Sequence, residues 1–309
     1  MSNSKIINFM SMQKIAVGFS VLLVLISIGS LLMKGLNLGL DFTGGTLVEV
    51  VYPDSVDPEN IRKQLNQAGY KDITVQHFGT SKNIMIRLAP QEGVDKNKVG
   101  DNVMTTLKAN NAEVVKIQSG FVGPQIGEEL REDGGLAMLY ALIGILIYVA
   151  LRFELRFSGG AIFALVHDVV ITLGFFSITQ VEFDMTVLAA ILAIIGYSLN
   201  DTIVVFDRIR ENFRIFLKKS PEHVINISIN HTLTRTLITS LTTLLVLITL
   251  FLFGGKVIHA FALAMIVGVV VGTYSSIYIA SSSLLMMGIT KEALLPPEKE
   301  NEDLEQPPL

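Results

Sequence analysis

Charged side chains inside strongly apolar segments are the residues of this sequence best suited to chemistry. Asp201 lies within residues 185–206, MTVLAAILAIIGYSLNDTIVVF, a stretch that is long and apolar enough to cross a bilayer. Arg235 lies near the start of the next apolar stretch, TLTRTLITSLTTLLVLITLF. An ionised carboxylate without a partner is costly inside a membrane, so such residues are rare and usually functional. An acid and a base that share the membrane interior indicate the handling of ions or protons.

Further polar side chains are predicted at a similar depth. His167 and Asp168 lie well inside the third apolar segment, and Asn200 adjoins Asp201. At a helical rise of about 1.5 Å per residue, these side chains and Arg235 fall within roughly 10 Å of depth in one half of the membrane. Because adjacent residues of a helix point about 100° apart, at most one of His167 and Asp168 is expected to face Asp201.

The sequence leaves two interpretations of Asp201 and Arg235 open. Burial opposes ionisation of Asp201 and the charge of Arg235 favours it, so a movement that separates the two groups would capture or release a proton. Alternatively, the two residues form a static buried ion pair that fixes the register of two helices. The hydroxyls of Thr234, Thr236 and Thr239 beside the base favour a hydrated, titrating site.

For His167 and Asp168 the alternatives are a proton-handling pair and a helix–helix hydrogen bond, and the sequence favours neither. A metal site is not expected, because no further histidine or carboxylate stands at ligand spacing. Gly268 and Gly272, four residues apart in the last apolar segment, predict a face for close helix packing.

The composition limits the class of protein. The chain has 309 residues, 50% of them hydrophobic, and a mean hydropathy of +0.53, which predicts a polytopic membrane protein. A net charge of −4 without a basic patch gives no indication of nucleic-acid binding, and the absence of cysteine excludes disulfides and thiolate chemistry. Because no phosphate-binding loop, zinc motif or Ser–His–Asp arrangement occurs, we expect neither an enzyme nor a cofactor.

Six segments are predicted to cross the lipid bilayer, so the predicted fold is a polytopic α-helical membrane protein with six transmembrane helices. The segments are residues 15–33, 136–151, 160–178, 185–206, 236–253 and 259–287. The first is longer than the core of a signal peptide and no cleavage pattern follows it, so we expect an uncleaved first helix.

Lysine and arginine residues in the short loops predict the orientation. They precede the first segment and separate the second from the third and the fourth from the fifth, whereas the opposite loops have almost none. The positive-inside rule therefore places both termini in the cytoplasm. The pattern of residues 213–229 predicts an amphipathic helix along the membrane surface. Cytoplasmic anchoring and interhelical salt bridges are expected from the cluster Asp207, Arg208, Arg210 and Glu211.

Residues 35–133 form a predicted extracytoplasmic domain. Their hydrophobic periodicity predicts the order β-α-β-β-α-β of a ferredoxin-like α+β domain. Strands are expected at residues 46–52, 73–78, 84–88 and 112–118, helices at 58–68 and 98–109, and a turn at 79–83. Residues 1–34 hold the cytoplasmic N-terminus and first transmembrane helix, 134–288 the other five helices, and 289–309 a disordered acidic tail.

Two glycine-containing segments join this domain to the membrane helices. GLDFTGG follows the first helix and FVGPQIG precedes the second. Gly44 and Gly45 permit positive φ or a close backbone approach, and Asp41 could cap the resulting turn. Together with Gly123 and Pro124, these residues are predicted to act as hinges.

The motifs together resemble the SecF proteins of the SecD/SecF family, within the resistance-nodulation-division superfamily. The resemblance rests on GLDFTGG, FVGPQIG, ALVHD at 164–168, GYSLNDTIVVFDRIREN at 196–212 and LTRTLITS at 233–240, and it covers nearly the whole chain in order. It implies a bacterial plasma-membrane protein with six spans and a large first extracytoplasmic loop. It also matches Asp201 and Arg235 to the family's intramembrane acid and base, and His167 and Asp168 to a pair on its third helix.

The resemblance implies a function as well. Such proteins pair with SecD, associate with the SecYEG translocon and with accessory proteins of the YajC and YidC type, and use the proton-motive force to complete the export of unfolded polypeptide. Two alternatives are a proton-coupled efflux transporter of small molecules or lipids from the same superfamily, and a scaffold that stabilises its partner without moving ions. The coupling ion, H⁺ or Na⁺, is left open.

Overall fold

A computed structural model of the chain describes residues 6–90, 98–216 and 218–289. The chain divides into two compact units. The membrane unit comprises Met1–Leu36, Ala141–Val181 and Ala189–Leu309, and the sheet unit comprises Asn37–Tyr140 and Glu182–Leu188. Apart from Ile289, the acidic tail expected at 289–309 lies outside the described residues.

Long apolar helices form the membrane unit and extend from it. Within the described part of the chain, six helical stretches are long and apolar enough to cross a membrane, which confirms the predicted polytopic fold. The helices are α1 (Gln13–Lys34), α5 (Pro124–Arg152), α6 (Leu155–Thr179), α7 (Met185–Ile215), α8 (Pro221–Phe253) and α9 (Lys256–Ser275), the last continuing through a π-helical turn (Ser276–Ala280) into α10 (Ser281–Met286).

The prediction of a surface helix at residues 213–229 is wrong. The structure has instead the end of α7, a short connection and the first part of α8, which continues unbroken to Phe253. Ser220 caps α8 by accepting a hydrogen bond from the His223 backbone N–H at 3.4 Å, and Pro221 occupies the first turn, where its missing N–H is harmless. The apolar residues of this part of α8 are buried by protein rather than spread on lipid, among them Val224, Ile225 and Ile229.

The sheet unit has the predicted ferredoxin-like architecture. Its strands lie in the order β2-β3-β1-β4 and every neighbouring pair is antiparallel. They are β1 (Gly45–Val51), β2 (Ile73–Phe78), β3 (Thr80–Leu88) and β4 (Val115–Val122), and the helices of this unit are the short α2 (Leu40–Thr43), α3 (Pro58–Gln67) and α4 (Val99–Asn110). The five-residue turn expected at 79–83 is too long, because Gly79, with φ of 78°, lets β3 begin at Thr80.

One face of the sheet packs on α3 and α4. Strand alternation places every second residue of β1 and β3 on this face, and a spacing of four places the helical partners on one side. The core contains Val48, Val50, Ile84 and Ile86 from the strands and Ile61, Leu65, Val103 and Leu107 from the helices. Burial of each such side chain contributes about 1.5–3 kcal/mol, so no disulfide is needed to hold this unit together.

The double glycine between α2 and β1 has a steric requirement at its second member. Gly45 has a φ of 117°, and a Cβ at this position would overlap the carbonyl oxygen of Leu88. Both the conformation and the space therefore restrict the position to glycine. Gly44, with φ of 63°, ends α2.

We expect Gly45→Ala to lower the free energy of unfolding of the sheet unit by at least about 1–3 kcal/mol, the cost of placing an L-residue at this φ. Displacement of β3 by the added methyl group adds to this loss. Thermal unfolding and limited proteolysis of the full-length protein in detergent measure the effect. Gly120→Ala is the matched control, because no atom lies within 4 Å of a Cβ built there. Equal stability of the two variants would contradict the assignment.

Candidate functional site in the membrane helices

Asp201 lies on the buried face of α7. Its side chain is 4% exposed, and Ser198 and Thr202 beside it are buried as well. The apolar residues Ile194 and Val205 continue the same face at helical spacing. Atom Oδ2 of Asp201 is buried and has no hydrogen-bond partner among the described residues. A carboxylate oxygen in this condition favours protonation or movement, because an unpaired charge is costly to bury.

Arg235 of α8 is near enough to Asp201 for an electrostatic interaction. Within the described chain, however, no ion pair of 4.0 Å or less joins the two residues, and Arg235 is exposed. Asn200 is exposed too, so it does not share the buried face of its neighbour Asp201. Asp201 and Arg235 therefore do not form the closed buried ion pair that was one of the two interpretations of the sequence.

A layer of hydroxyl groups crosses three helices one turn from Asp201. Tyr197 of α7 donates a hydrogen bond of 3.3 Å to Ser240 of α8, and Ser240 and Thr273 of α9 share one of 2.7 Å. Asp201 follows Tyr197 by four residues and Thr236 precedes Ser240 by four, so the acid and Thr236 occupy the next layer. Thr236 Oγ1 is buried beside the carboxylate and close enough to interact with it, although no hydrogen bond of good geometry joins Thr236 Oγ1 to an atom of the described residues.

The His167–Asp168 pair of α6 forms a second polar centre. Asp168 is 1% exposed; its Oδ2 accepts a hydrogen bond of 2.5 Å from Ser198, and its Oδ1 lies 2.8 Å from His167 Nδ1. Asp168 is thus the member of the pair that faces α7. Its partner Ser198 lies three residues before Asp201 on that helix. Nε2 of His167 is buried without a hydrogen-bond partner in the described residues.

Close packing of α9 brings these helices together, as the two glycines predicted. A Cβ at Gly268 would overlap the side chain of Ile194. At Gly272 it would lie 3.1 Å from the Cβ of Ser198 and 3.6 Å from Asp168 Oδ2. The missing side chains thereby allow the Ser198–Asp168 hydrogen bond to form against the α9 backbone.

The charged cluster at the end of α7 forms ion pairs, one of them between helices. Arg152 of α5, which the sequence did not single out, binds Asp207 at 2.6 Å, and Arg210 lies 3.4 Å from the same carboxylate. Arg208 and Glu211 pair with each other at 2.9 Å. No group of three or more histidines and carboxylates in the described residues is arranged to hold a metal ion.

The predicted hinge residues lie in the sheet unit. Asp41 does not cap its own turn, because its Oδ2 accepts a hydrogen bond of 3.1 Å from the backbone N–H of Met185 at the start of α7. A Cβ at Gly127 would lie 2.9 Å from Gly44 N, so the two glycine-containing segments approach closely. Gly123 lies between β4 and α5, and Pro124 is the first residue of α5.

Arg87 and Glu182 are site residues that sequence reasoning missed. Arg87 of β3 is 8% exposed and forms an ion pair of 3.1 Å with Glu182, from the segment before α7. Its Nη1 donates hydrogen bonds to the carbonyl oxygen of Leu38 at 2.9 Å and to Asn37 Oδ1 at 3.3 Å. The only signal in the sequence is an arginine within the apolar strand IMIRL.

Four charged groups set the electrostatics of this contact. Burial raises the pKa of the Glu182 carboxyl, and the neighbouring carboxylates of Asp184 and Asp41 raise it further. Arg87 and the backbone N–H of Leu40 act in the opposite direction without cancelling the rise. The ionised form of Glu182 is therefore held in place at an energetic cost.

Comparisons with known proteins identify the family. The model described as "Protein export membrane protein SecD/SecF, C-terminal" matches residues 102–290, and the "SecD/SecF GG Motif" model matches residues 29–52. The chain belongs to the SecD/SecF family. It is 51% identical over 302 residues to protein translocase subunit SecF of Vibrio alginolyticus, covering 97% of this chain and 96% of the relative. With the SecF subunit of Pseudomonas aeruginosa it shares 48% identity over 292 residues, 94% of this chain and 95% of that one.

A solved structure agrees with this membership. The crystal structure of SecDF, a translocon-associated membrane protein from Thermus thermophilus, superposes with a TM-score of 0.83 at 37% identity over 93% of this chain. This SecD/SecF-family chain spans only 39% of the length of that solved chain. The resemblance to SecF noted from the motifs is confirmed.

Glu182 predicts a specific dependence of stability on pH. Since its folded-state pKa lies above the ordinary value of 4.5, the folded protein binds this proton more tightly than the unfolded chain does. The stabilisation is complete below pH 4.5 and is lost as the pH rises through the folded-state pKa. The melting temperature of Glu182→Gln relative to wild type should therefore rise between about pH 4 and pH 7. A difference that stays constant, or falls, would refute this.

Proposed function

We propose that this chain is a proton-coupled, non-enzymatic subunit of protein export that works with SecD at the SecYEG channel. The observation that carries the proposal is the buried carboxylate of Asp201, which lies in a helix long and apolar enough to cross the membrane. Its Oδ2 has no hydrogen bond of good geometry to any of the described residues. A static structural acid would be expected to have its hydrogen bonds satisfied. Asp201 is instead left ready to exchange a proton.

Exposed polar and small residues on the membrane helices support a partner within the bilayer. Arg235 and Asn200 are exposed on this subunit, although lipid is an unfavourable environment for both. On α7, Asn200 continues a row of exposed small residues formed by Ala189, Ala193 and Gly196. Small residues at this spacing favour packing against another membrane helix. SecD is the partner that we propose, in keeping with the match to the longer SecDF chain.

The proposed coupling step is a change of charge at Asp201. Protonation neutralises the carboxylate and removes its attraction to Arg235, while Thr236 can accept a hydrogen bond from the protonated acid. Ionisation restores the attraction on the other side of the cycle. The hydroxyl layer of Tyr197, Ser240 and Thr273 offers donors and acceptors that can exchange partners as α7 and α8 shift.

Membership of the family also supports a proposal for the membrane and the orientation in which this step takes place. We propose that the chain resides in the bacterial plasma membrane with both termini in the cytoplasm, so that the sheet unit lies on the outer side. There it would contact the emerging unfolded polypeptide. Asp168 and His167 would extend the proton-handling network towards α6 through Ser198.

Asp201→Asn is expected to reduce gradient-driven export to the level measured without a gradient, because an amide cannot exchange the proton. Export into inverted membrane vesicles is measured with ATP alone and with an added pH gradient or an added sodium gradient, which also identifies the ion. Asp133→Asn, which changes an exposed carboxylate of α5, is the matched control and should behave as wild type. Full gradient-driven export by Asp201→Asn would end the proposal.

Arg235 provides a second test. Arg235→Gln should lose gradient-driven export while its complex with SecD still forms, whereas Arg235→Lys should retain part of it because the positive charge remains. Co-purification with tagged SecD reports assembly independently of transport. Wild-type export by Arg235→Gln would favour a scaffold that moves no ions.

A further inference from the structure

We infer that the Arg87–Glu182 ion pair is a positioning contact that couples the sheet unit to α7, the helix that carries Asp201; the inference rests on the proposed function of Asp201. Neither residue handles the proton. Their role is to ensure that displacement of α7 moves the sheet rather than being lost at a loose connection.

Arg87 is fixed in the interior of the sheet. It lies on β3, which pairs with β1 on one side and β2 on the other, and its direct neighbours are Leu47 and Thr74. Its guanidinium binds Leu38, Asn37 and Glu182 at once. The arginine therefore links the rigid sheet both to the chain that follows α1 and to the chain that precedes α7.

The first turn of α7 is held by several further contacts within the sheet unit. Phe183 donates a backbone hydrogen bond to Asn37 and accepts one from Gly39, both at 2.8 Å, while Asp41 caps Met185. Asp184 Oδ1 accepts hydrogen bonds from the Val187 backbone N–H at 2.9 Å and from Thr186 Oγ1 at 2.7 Å. The GLDFTGG segment and the start of α7 thus form one connected structure.

A single helix connects this structure to the candidate site. Asp201 follows Met185 by 16 residues in the unbroken α7, a distance of about 24 Å along the axis. A continuous helix transmits an axial shift or a rotation over this length. The route from Asp201 to the sheet is therefore α7 itself, in addition to the glycine hinges expected from the sequence.

The charges at this contact are unequal, and this gives the inference a specific signature. One arginine faces Glu182, while Asp184 and Asp41 lie near the same carboxyl. Removing Arg87 leaves the Glu182 carboxyl near two other carboxylates without the positive charge, whereas neutralising Glu182 removes one negative charge and leaves Arg87 bound to Leu38 and Asn37. Loss of Arg87 should therefore be the more damaging change.

The first part of the test compares Arg87→Met, Glu182→Gln and Asp201→Asn in the assembled translocase in inverted vesicles. We expect Arg87→Met to lose most gradient-driven export, Glu182→Gln to lose less, and both to retain ATP-driven export and assembly with SecD. Arg62→Met is the matched control, because its pair with Glu59 at 2.8 Å is exposed and contributes little. A purely structural role would reduce ATP-driven and gradient-driven export together.

The second part restores the connection covalently. The chain has no cysteine, and a Cβ at Gly39 would lie 3.1 Å from the Cβ of Asp184, so a small shift gives disulfide geometry. Oxidised Gly39→Cys/Asp184→Cys should recover gradient-driven export in the Arg87→Met background and lose it again on reduction. With Arg87 present, the oxidised and reduced forms of the same cysteine pair are compared with each other, because both lack the Asp184 hydrogen bonds, and they should export equally.

Each outcome separates the two ideas. If Asp201→Asn is inactive with a gradient but Arg87→Met is normal, the positioning role is wrong and the proposed function stands. If the disulfide blocks export in the Arg87 background, the contact has to open and the inference is overturned. If Asp201→Asn is fully active, the proposed function fails and the inference fails with it. Should Arg87→Met not accumulate, Glu182→Ala with the same cysteine pair makes the comparison.

Discussion

The energetic cost of polar groups in an apolar environment governs the arrangement of the membrane helices. Water does not solvate side chains within the bilayer core, so a buried hydroxyl, imidazole or carboxylate is stabilised by a hydrogen-bond partner in its own helix or in a neighbouring one. Asp168 meets this requirement with Ser198 and His167, and Tyr197 meets it through Ser240 and Thr273. Asp201 meets it only in part, because one of its oxygens is left without a hydrogen-bond partner in the described residues. The contrast between Asp168, whose two carboxylate oxygens both have partners, and Asp201 singles out Asp201 as the candidate site.

Sequence alone was sufficient for features that repeat along the chain or have a high local cost. The six apolar segments and the β-α-β-β-α-β periodicity each extend over many residues, so errors at single positions did not change the fold. Asp201 and Asp168 were found because a charge in an apolar run has no inexpensive structural explanation. Gly268 and Gly272 were found for a related reason, since spacing along one helix already defines a face.

What the sequence could not provide depends on distant segments or on exposure. Arg87 and Glu182 are separated by 95 positions, and nothing near either one indicates the other. Arg152 joins Asp207 across two helices in the same way. Hydropathy placed Arg235 at a depth similar to that of Asp201 but could not show that its side chain is exposed on this subunit. Hydropathy also did not predict that α7 and α8 continue beyond their apolar segments. The polar ends of these helices have the amphipathic pattern of a surface helix, and only the structure shows that their apolar face is buried by protein.

The π-helical turn at Ser276–Ala280 has a consequence for how the last helix meets its neighbours. A widened turn of this kind adds a residue to the local helical repeat and rotates everything that follows. Before the turn, Gly268 and Gly272 lie against α7; after it, Ser283 lies against Gly160 of α6. The helix thereby presents differently oriented contact surfaces before and after the turn. Deleting one residue of the turn would leave the residues of each contact surface unchanged but would rotate one surface relative to the other. The extra residue therefore sets the angle between the two surfaces.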